Sequence, residues 1–147
     1  MTYYSLERHL PHSPEQIFDL VIDIERYREF MPFTFEAKIT GSTANRLLAN
    51  QTVHIGPAAL RFASEARFHR PDWIQIKSTT SQFRNFSIDW KFNPAPEGCR
   101  IHAQVDCVPR SAVLEALVDP WIEPFAEGLV SAFEQRAASL YGSPNPR

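Results

Sequence analysis

The feature that most constrains this chain is a change of period at Ser111. Between Phe35 and Cys107 apolar and polar residues alternate in six successive runs. One side of these runs carries Phe35, Ala37 and Ile39, then Leu47, Ala49, Gln51, Val53 and Ile55. Leu60, Phe62, Ser64, Ala66 and Phe68 follow, then Ile74, Ile76, Ser78 and Thr80. The last two runs bring Phe86, Ile88, Trp90 and Phe92, and Ile101, Ala103, Val105 and Cys107. A stretch near the start, Tyr3 to Leu10, alternates in the same way. A period of two means strands with one buried face, and hence a mostly antiparallel sheet covered on one side. Gly41-Ser42, Gly56-Pro57, Pro71-Asp72 and Pro94–Gly98 mark the turns.

From Ser111 onward the spacing is three to four. Leu114, Leu117, Val118, Trp121, Phe125, Leu129, Phe133, Ala137 and Leu140 form one helical stripe, and Gly142 is a natural stop. A second helical signal follows the first strand. Ser13-Pro14-Glu15-Gln16 has serine at N-cap, proline at the first helical position and glutamine where a capping box needs it. Asp23 is placed to cap a further short helix holding Ile24 and Tyr27, and Pro32 ends the region. The fold class is therefore α+β: seven antiparallel strands around one long C-terminal helix, with two short helices after the first strand. Pro120 and Pro124 interrupt the helical stripe. Asp119-Pro120 looks like an N-cap and first-position pair, so residues 111–118 are expected to form a separate segment or kinked arm. The expected organisation is one domain over 1–142, with 143–147 as a flexible tail.

Composition narrows the function classes. The 147 residues are 44% apolar and 22% charged, which suits a globular domain with its own core. A net charge of −2 argues against a broad electrostatic grip on nucleic acid, so DNA is not expected as a partner. Cys99 and Cys107 lie on one face of a single strand, about 26 Å apart at about 3.3 Å per residue. That is too far for a disulfide, so both are expected as free thiols. No stretch has signal-peptide or membrane-span character, so the expected location is cytoplasmic, with peripheral contact at the membrane.

The chemistry-bearing residues do not assemble a catalytic set. His9 and His12 have Pro11 between them and no partner ligand, and His54, His69 and His102 fall on polar strand faces. There is no Gly-rich phosphate loop and no nucleophile elbow, so no catalytic or metal residues are assigned. The inward polar residues are more informative. Parity turns Arg8, Gln51, Ser64, Ser78 and Thr80 toward the apolar face, where each needs a partner. Phe62, Phe68, Ile76, Phe86, Trp90 and Phe92 face the same way, and Trp121, Phe125, Leu129 and Phe133 face them from the helix. With Phe 11 in the composition, these rings either fill a core or line a cavity.

Four markers in order resemble the coenzyme Q-binding branch of the START-like superfamily, also called polyketide cyclase/dehydrase and lipid transport. They are Phe18-Asp19-Leu20-Val21 with Asp23 to Pro32, Phe62 to Ala66, Phe83 with Trp90-Lys91-Phe92, and Leu129 to Ala137 with Tyr141-Gly142. The resemblance implies a helix-grip (START/Bet v 1-like) fold with a deep apolar cavity. It implies no catalytic cofactor, and ubiquinone or another isoprenoid lipid as the ligand of a non-catalytic carrier that assists respiration. It assigns the cavity to Gln51, Phe62, Ser64, Phe68, Ile76, Ser78, Phe86, Trp90, Phe92, Trp121, Phe125, Leu129 and Phe133. The uncharged turns holding Phe30, Met31, Phe33 and Phe35, and Pro57 and Leu60, are the expected mouth or membrane contact. Two alternatives stay open. A ribosome-associating, toxin-like protein would need a basic patch from Arg61, Arg67, Arg70, Lys77 and Lys91. A polyketide cyclase or aromatase would need an inward acid–base pair.

Overall fold

The computed structural model describes residues 2–32, 35–79 and 82–142. The strands are β1 (Thr2–Leu10), β2 (Phe35–Thr43), β3 (Arg46–Ile55), β4 (Ala58–His69), β5 (Trp73–Thr79), β6 (Phe83–Ala95) and β7 (Gly98–Pro109). They form one seven-stranded sheet in the order β1-β7-β6-β5-β4-β3-β2, antiparallel at every pairing. Register shifts in β2 at Ile39/Gly41 and in β6 at Phe83/Asn85 mark irregularities that bend strands locally. Two helices, α1 (Pro14–Ile22) and α2 (Ala112–Tyr141), and a short 3-10 helix (Ile24–Glu29) complete the described chain. The helix α2 packs against β1, β3, β7 and α1. This is the helix-grip architecture that the family resemblance implies, built from the strands and helix that the two periods predict.

Local signals explain most element boundaries. At α1 the Ser13 hydroxyl accepts from the Gln16 backbone N–H at 3.1 Å, and the Ser13 N–H donates to the Gln16 side chain at 3.0 Å. That closes the predicted capping box. Asp23 behaves differently, because its side chain makes no capping hydrogen bond to the 3-10 helix. Its carboxylate instead faces Arg26 at 3.1 Å. Cys99 and Cys107 are free and buried on the inner face of β7.

The prolines of α2 correct an expectation. The helix runs unbroken from Ala112 to Tyr141, and no new helix begins at Asp119. Its start is set by Ser111, whose hydroxyl accepts from the Leu114 N–H at 3.1 Å. Pro120 and Pro124 remove the bonds that would reach the carbonyls of Ala116 and Pro120. All three residues are exposed, so water replaces the lost partners and the helix continues. The proline cost remains. Pro120→Ala is therefore expected to raise folding stability by about 1–3 kcal/mol, read as a higher urea midpoint. An unchanged or lower midpoint would show that the proline is not a burden on α2. The proposed tail at 143–147 lies outside the described residues, as do Phe33 and Thr80.

Candidate functional site

The inner faces of β3 to β6 meet α2 across an apolar cavity. The wall takes Gln51 and Val53 from β3, Phe62 from β4, Ile76 and Ser78 from β5, and Phe86, Ile88 and Trp90 from β6. Phe125 and Leu129 of α2 close it from above, and Ile24, Tyr27 and Phe35 close one end. The open space is about 30 Å³, the size of one water molecule. The deep cavity implied by the resemblance is therefore mostly occupied by side chains. The rings meet: Phe62 stacks on Phe86 at 5.7 Å, and Phe86 meets Phe83 edge-on at 5.5 Å.

Two polar groups interrupt this apolar wall. The Gln51 amide donates to the Ser64 hydroxyl at 3.0 Å, across a diagonal pair of β3 and β4. The other end of the amide has no protein hydrogen-bond partner among the described residues. Ser78 donates to the Phe86 carbonyl at 2.9 Å and is satisfied. The wall's titratable side chain is Tyr27. Its hydroxyl donates to the Val21 carbonyl, and burial with the nearby Asp23 charge pushes its pKa well above the ordinary value. Among the described residues the wall holds no carboxylate and no imidazole. Nor do they include a cluster of three His, Cys, Asp or Glu side chains able to hold a metal.

The remaining predicted residues fall elsewhere. Ser64 stands behind Gln51 as its partner. Phe68 and Phe92 pack on Phe18 of α1, at 5.9 and 5.7 Å between ring centres. Phe133 packs on Tyr27, Phe30 and Trp90. These three rings belong to the core between the sheet and the helices. Trp121 is a correction, because it is 47% exposed and does not reach the cavity. The buried stripe of α2 runs through Val118, Ile122, Phe125 and Leu129. Ile122 takes the inward position, and Trp121, one step of about 100° away, lies against Gly56 in the β3–β4 turn.

The expected mouth also changes. Leu60 is fully buried, at the inward register position opposite Val53. Phe35 is buried against Tyr27, with ring centres 4.8 Å apart. Phe30 is half-buried beneath the Arg136 guanidinium, 5.0 Å from its ring, and Met31 is half-buried beside it in the chain. Only Pro57 of the described set is exposed. Arg8, inward by parity, reaches the rim. Its guanidinium donates to Glu127 at 2.9 Å, Ser131 at 3.1 Å and Glu134 at 3.4 Å, tying β1 to α2. Tyr4 donates to the same Glu127 at 2.5 Å, and that bond is the main reason its pKa is pushed up to about 12.

Several wall residues were not assigned from sequence. Val53 and Ile88 share the parity of Gln51 and Phe86, and that signal was available. Ile24 and Tyr27 come from a 3-10 turn too short to carry a period, so only the tertiary contact reveals them.

A single sheet curled over one long helix, with an apolar pocket between them, defines a START/Bet v 1-like domain. The chain belongs to the polyketide cyclase / dehydrase and lipid transport family, which it matches over residues 10–134. It is 28% identical over 134 residues to the ribosome association toxin RatA of Pseudomonas aeruginosa, covering 90% of this chain and 93% of that one. It is 24% identical over 144 residues to the mitochondrial coenzyme Q-binding protein COQ10 homolog B of Xenopus laevis. That match covers 95% of this chain and 59% of the longer relative. The crystal structure of TTHA0849 from Thermus thermophilus superposes with a TM-score of 0.82 at 18% identity, over 94% of this chain and 98% of that one. The last likeness concerns the fold. No helix among the described residues is long and apolar enough to cross a membrane.

Proposed function

We propose that this protein is a non-catalytic carrier that holds a polyprenyl quinone or related isoprenoid lipid between the sheet and α2, in support of respiratory electron transport. One observation carries the proposal: the Gln51 amide sits buried in an apolar wall with one N–H bonded to Ser64, leaving its second N–H to donate to a ligand carbonyl and its oxygen to accept from a ligand hydroxyl. A pocket of this kind orients a ligand with few polar groups. The similarity to the COQ10 homolog supports the choice of ligand class. Because the space is water-sized, a ring can enter only if α2 or the wall rings move outward. A lipid tail leaving a bilayer gains little apolar burial, so the head-group hydrogen bond should decide affinity. Gln51→Leu is accordingly expected to weaken binding of a short-chain ubiquinone about tenfold, in a titration monitored by tryptophan fluorescence. Wild-type protein that yields no lipid on solvent extraction and shows no saturable quinone binding would end this proposal.

A second reading is favoured by the distribution of charge. The helix α2 carries Glu115, Asp119, Glu123, Glu127 and Glu134 against Arg136. Of the expected basic residues, Arg61, Arg67 and Lys77 lie on the opposite, outer face of the sheet, with Lys38 and Arg46 beside them. Arg70 is instead tied to Asp19, Lys91 shares its strand face with Asp89, and Glu36 and Glu65 stand among the cations. Desolvation alone would raise the pKa of Glu65 on that face, but hydrogen bonds from Arg46 and Arg67 outweigh it and hold the carboxyl below its ordinary value. The basic excess on the outer face is thus confined to β2–β5, because Asp89 and Asp106 lie on the same face of β6 and β7. With the likeness to RatA, this supports association with a ribosomal surface through β2 to β5. Co-sedimentation with large ribosomal subunits at moderate salt, lost in an Arg61→Glu/Lys77→Glu variant, is the expected result. Equal sedimentation of variant and wild type would reject that face. A cyclase would need an inward acid–base pair, whereas the titratable group among the described wall residues is Tyr27 alone, with its hydroxyl engaged by the Val21 carbonyl.

A further inference from the structure

The outer face of the sheet holds an open groove of about 470 Å³ where β5, β6 and β7 adjoin. Trp73, Gln75, Asp89, Lys91 and Gln104 line it. All five hold outward positions in their strands, so the groove is separate from the inner cavity.

Gln75, Asp89 and Gln104 stand directly opposite one another, which sets one carboxylate between two amides in a row across three strands. Neighbouring strands lie about 4.8 Å apart, so the row spans about 10 Å. All three side chains are half-buried, and none has a hydrogen-bond partner among the described residues. Trp73 precedes Gln75 by two residues and lies opposite Lys91, with 40% of its surface exposed. It is therefore the diagonal neighbour of Asp89, close enough for one flat ligand to touch both. Lys77 and Lys91 lie on opposite sides of the row, and neither forms an ion pair among the described residues.

A plain grip on phosphate does not account for this placement. Asp89 repels phosphate at the edge of the basic strands β2–β5. A carboxylate does accept two parallel N–H bonds, and guanine is the base whose pairing edge offers two adjacent donors, N1–H and N2–H. Adenine and cytosine present one donor beside an acceptor there, and uracil one donor between two acceptors. The exposed indole next to Asp89 supplies a stacking surface, which an unpaired base of single-stranded RNA can use.

We propose that this groove binds an unpaired guanine of an RNA strand. The base stacks on Trp73 and presents N1–H and N2–H to the Asp89 carboxylate. The amide of Gln75 or Gln104 donates to O6, and Lys77 and Lys91 meet the phosphates on either side. The inference rests on the ribosomal reading above, and it names the chemistry recognised at the edge of that face.

Fluorescence anisotropy of the full chain with a labelled, uracil-rich single-stranded RNA carrying one guanine tests it. The guanine strand is expected to bind about tenfold tighter than the same strand with adenine, or with inosine, which lacks the N2 amino group. Asp89→Asn should erase that preference, and Trp73→Ala should weaken the guanine strand about tenfold. Asp106→Asn is the control. It removes an equal charge from the same face, outside the groove, and should keep the preference. Asn matches Asp in size and Trp73 is exposed, so both variants should fold, and a thermal melt verifies this. Equal binding of the three strands by the wild type, or none, would overturn the guanine site. Co-sedimentation with large ribosomal subunits, if retained, would then leave the ribosomal reading standing. Equal loss of preference in Asp106→Asn would overturn the site too. Neither RNA binding nor co-sedimentation by the wild type would overturn both.

Discussion

Phe133→Ala is expected to lower folding stability by about 3–5 kcal/mol, one of the larger losses available to a single core truncation. Phe133 has no exposed surface. Its ring meets Tyr27 at 5.2 Å, Trp90 at 5.5 Å and Phe30 at 5.7 Å between centres. It therefore joins α2 to the sheet and to the 3-10 helix at one point. Its neighbours are rigid rings, themselves packed on Phe35 and Phe92, so the void left by the truncation cannot close easily. The Tyr27 hydroxyl, bonded to the Val21 carbonyl, further fixes that side of the cluster. Urea denaturation of the variant gives the loss directly. A loss below about 1.5 kcal/mol would mean that the surroundings collapse onto the alanine, and that this cluster is not the rigid joint described.

The two cysteines carry the second large effect. Both are fully buried on β7, and burial pushes Cys99 up to about 11 and Cys107 up to about 12. Nearby Asp119 adds to the rise at Cys107. Thiolate is the reactive form, so these rises cut its population at pH 8 by about 100-fold at Cys99 and about 1000-fold at Cys107. Steric burial slows attack further. Ellman's reagent at pH 8 is expected to leave both thiols unmodified in native protein over minutes and to label both at once in urea. Rapid labelling of the native protein would show that the inner face of β7 is open to solvent, contrary to its packing. The same burial argues that neither thiol is a redox centre.

Much of the architecture was legible because its causes are local. The Ser13 capping box is contained in four residues, and its hydrogen bonds form as the spacing implies. Strand parity placed Gln51, Phe62, Ile76, Ser78, Phe86 and Trp90 on one face, and all six line the cavity wall. Parity also turned Phe68 and Phe92 inward, yet they pack on α1 instead. Which helix covers which part of a strand is a long-range fact. Trp121 shows a different limit. A three-to-four spacing admits either Trp121 or Ile122 at the inward position, and only the phase imposed by docking α2 on the sheet chooses Ile122. Pro120 misled for a related reason. Proline opposes helix at one residue, but Ser111, the buried stripe and solvent on the proline face together outweigh it.

The sequence by itself determined the elements and the inward set of the strands, because periods of about two and about 3.6 are properties of the backbone and need no distant partner. Tertiary structure alone decided whether the inward rings meet or stand apart. That distance depends on how far the sheet curls and how closely α2 approaches it, which the pairings of all the strands settle jointly. The result is a water-sized space beside Gln51, with Phe125 as its wall.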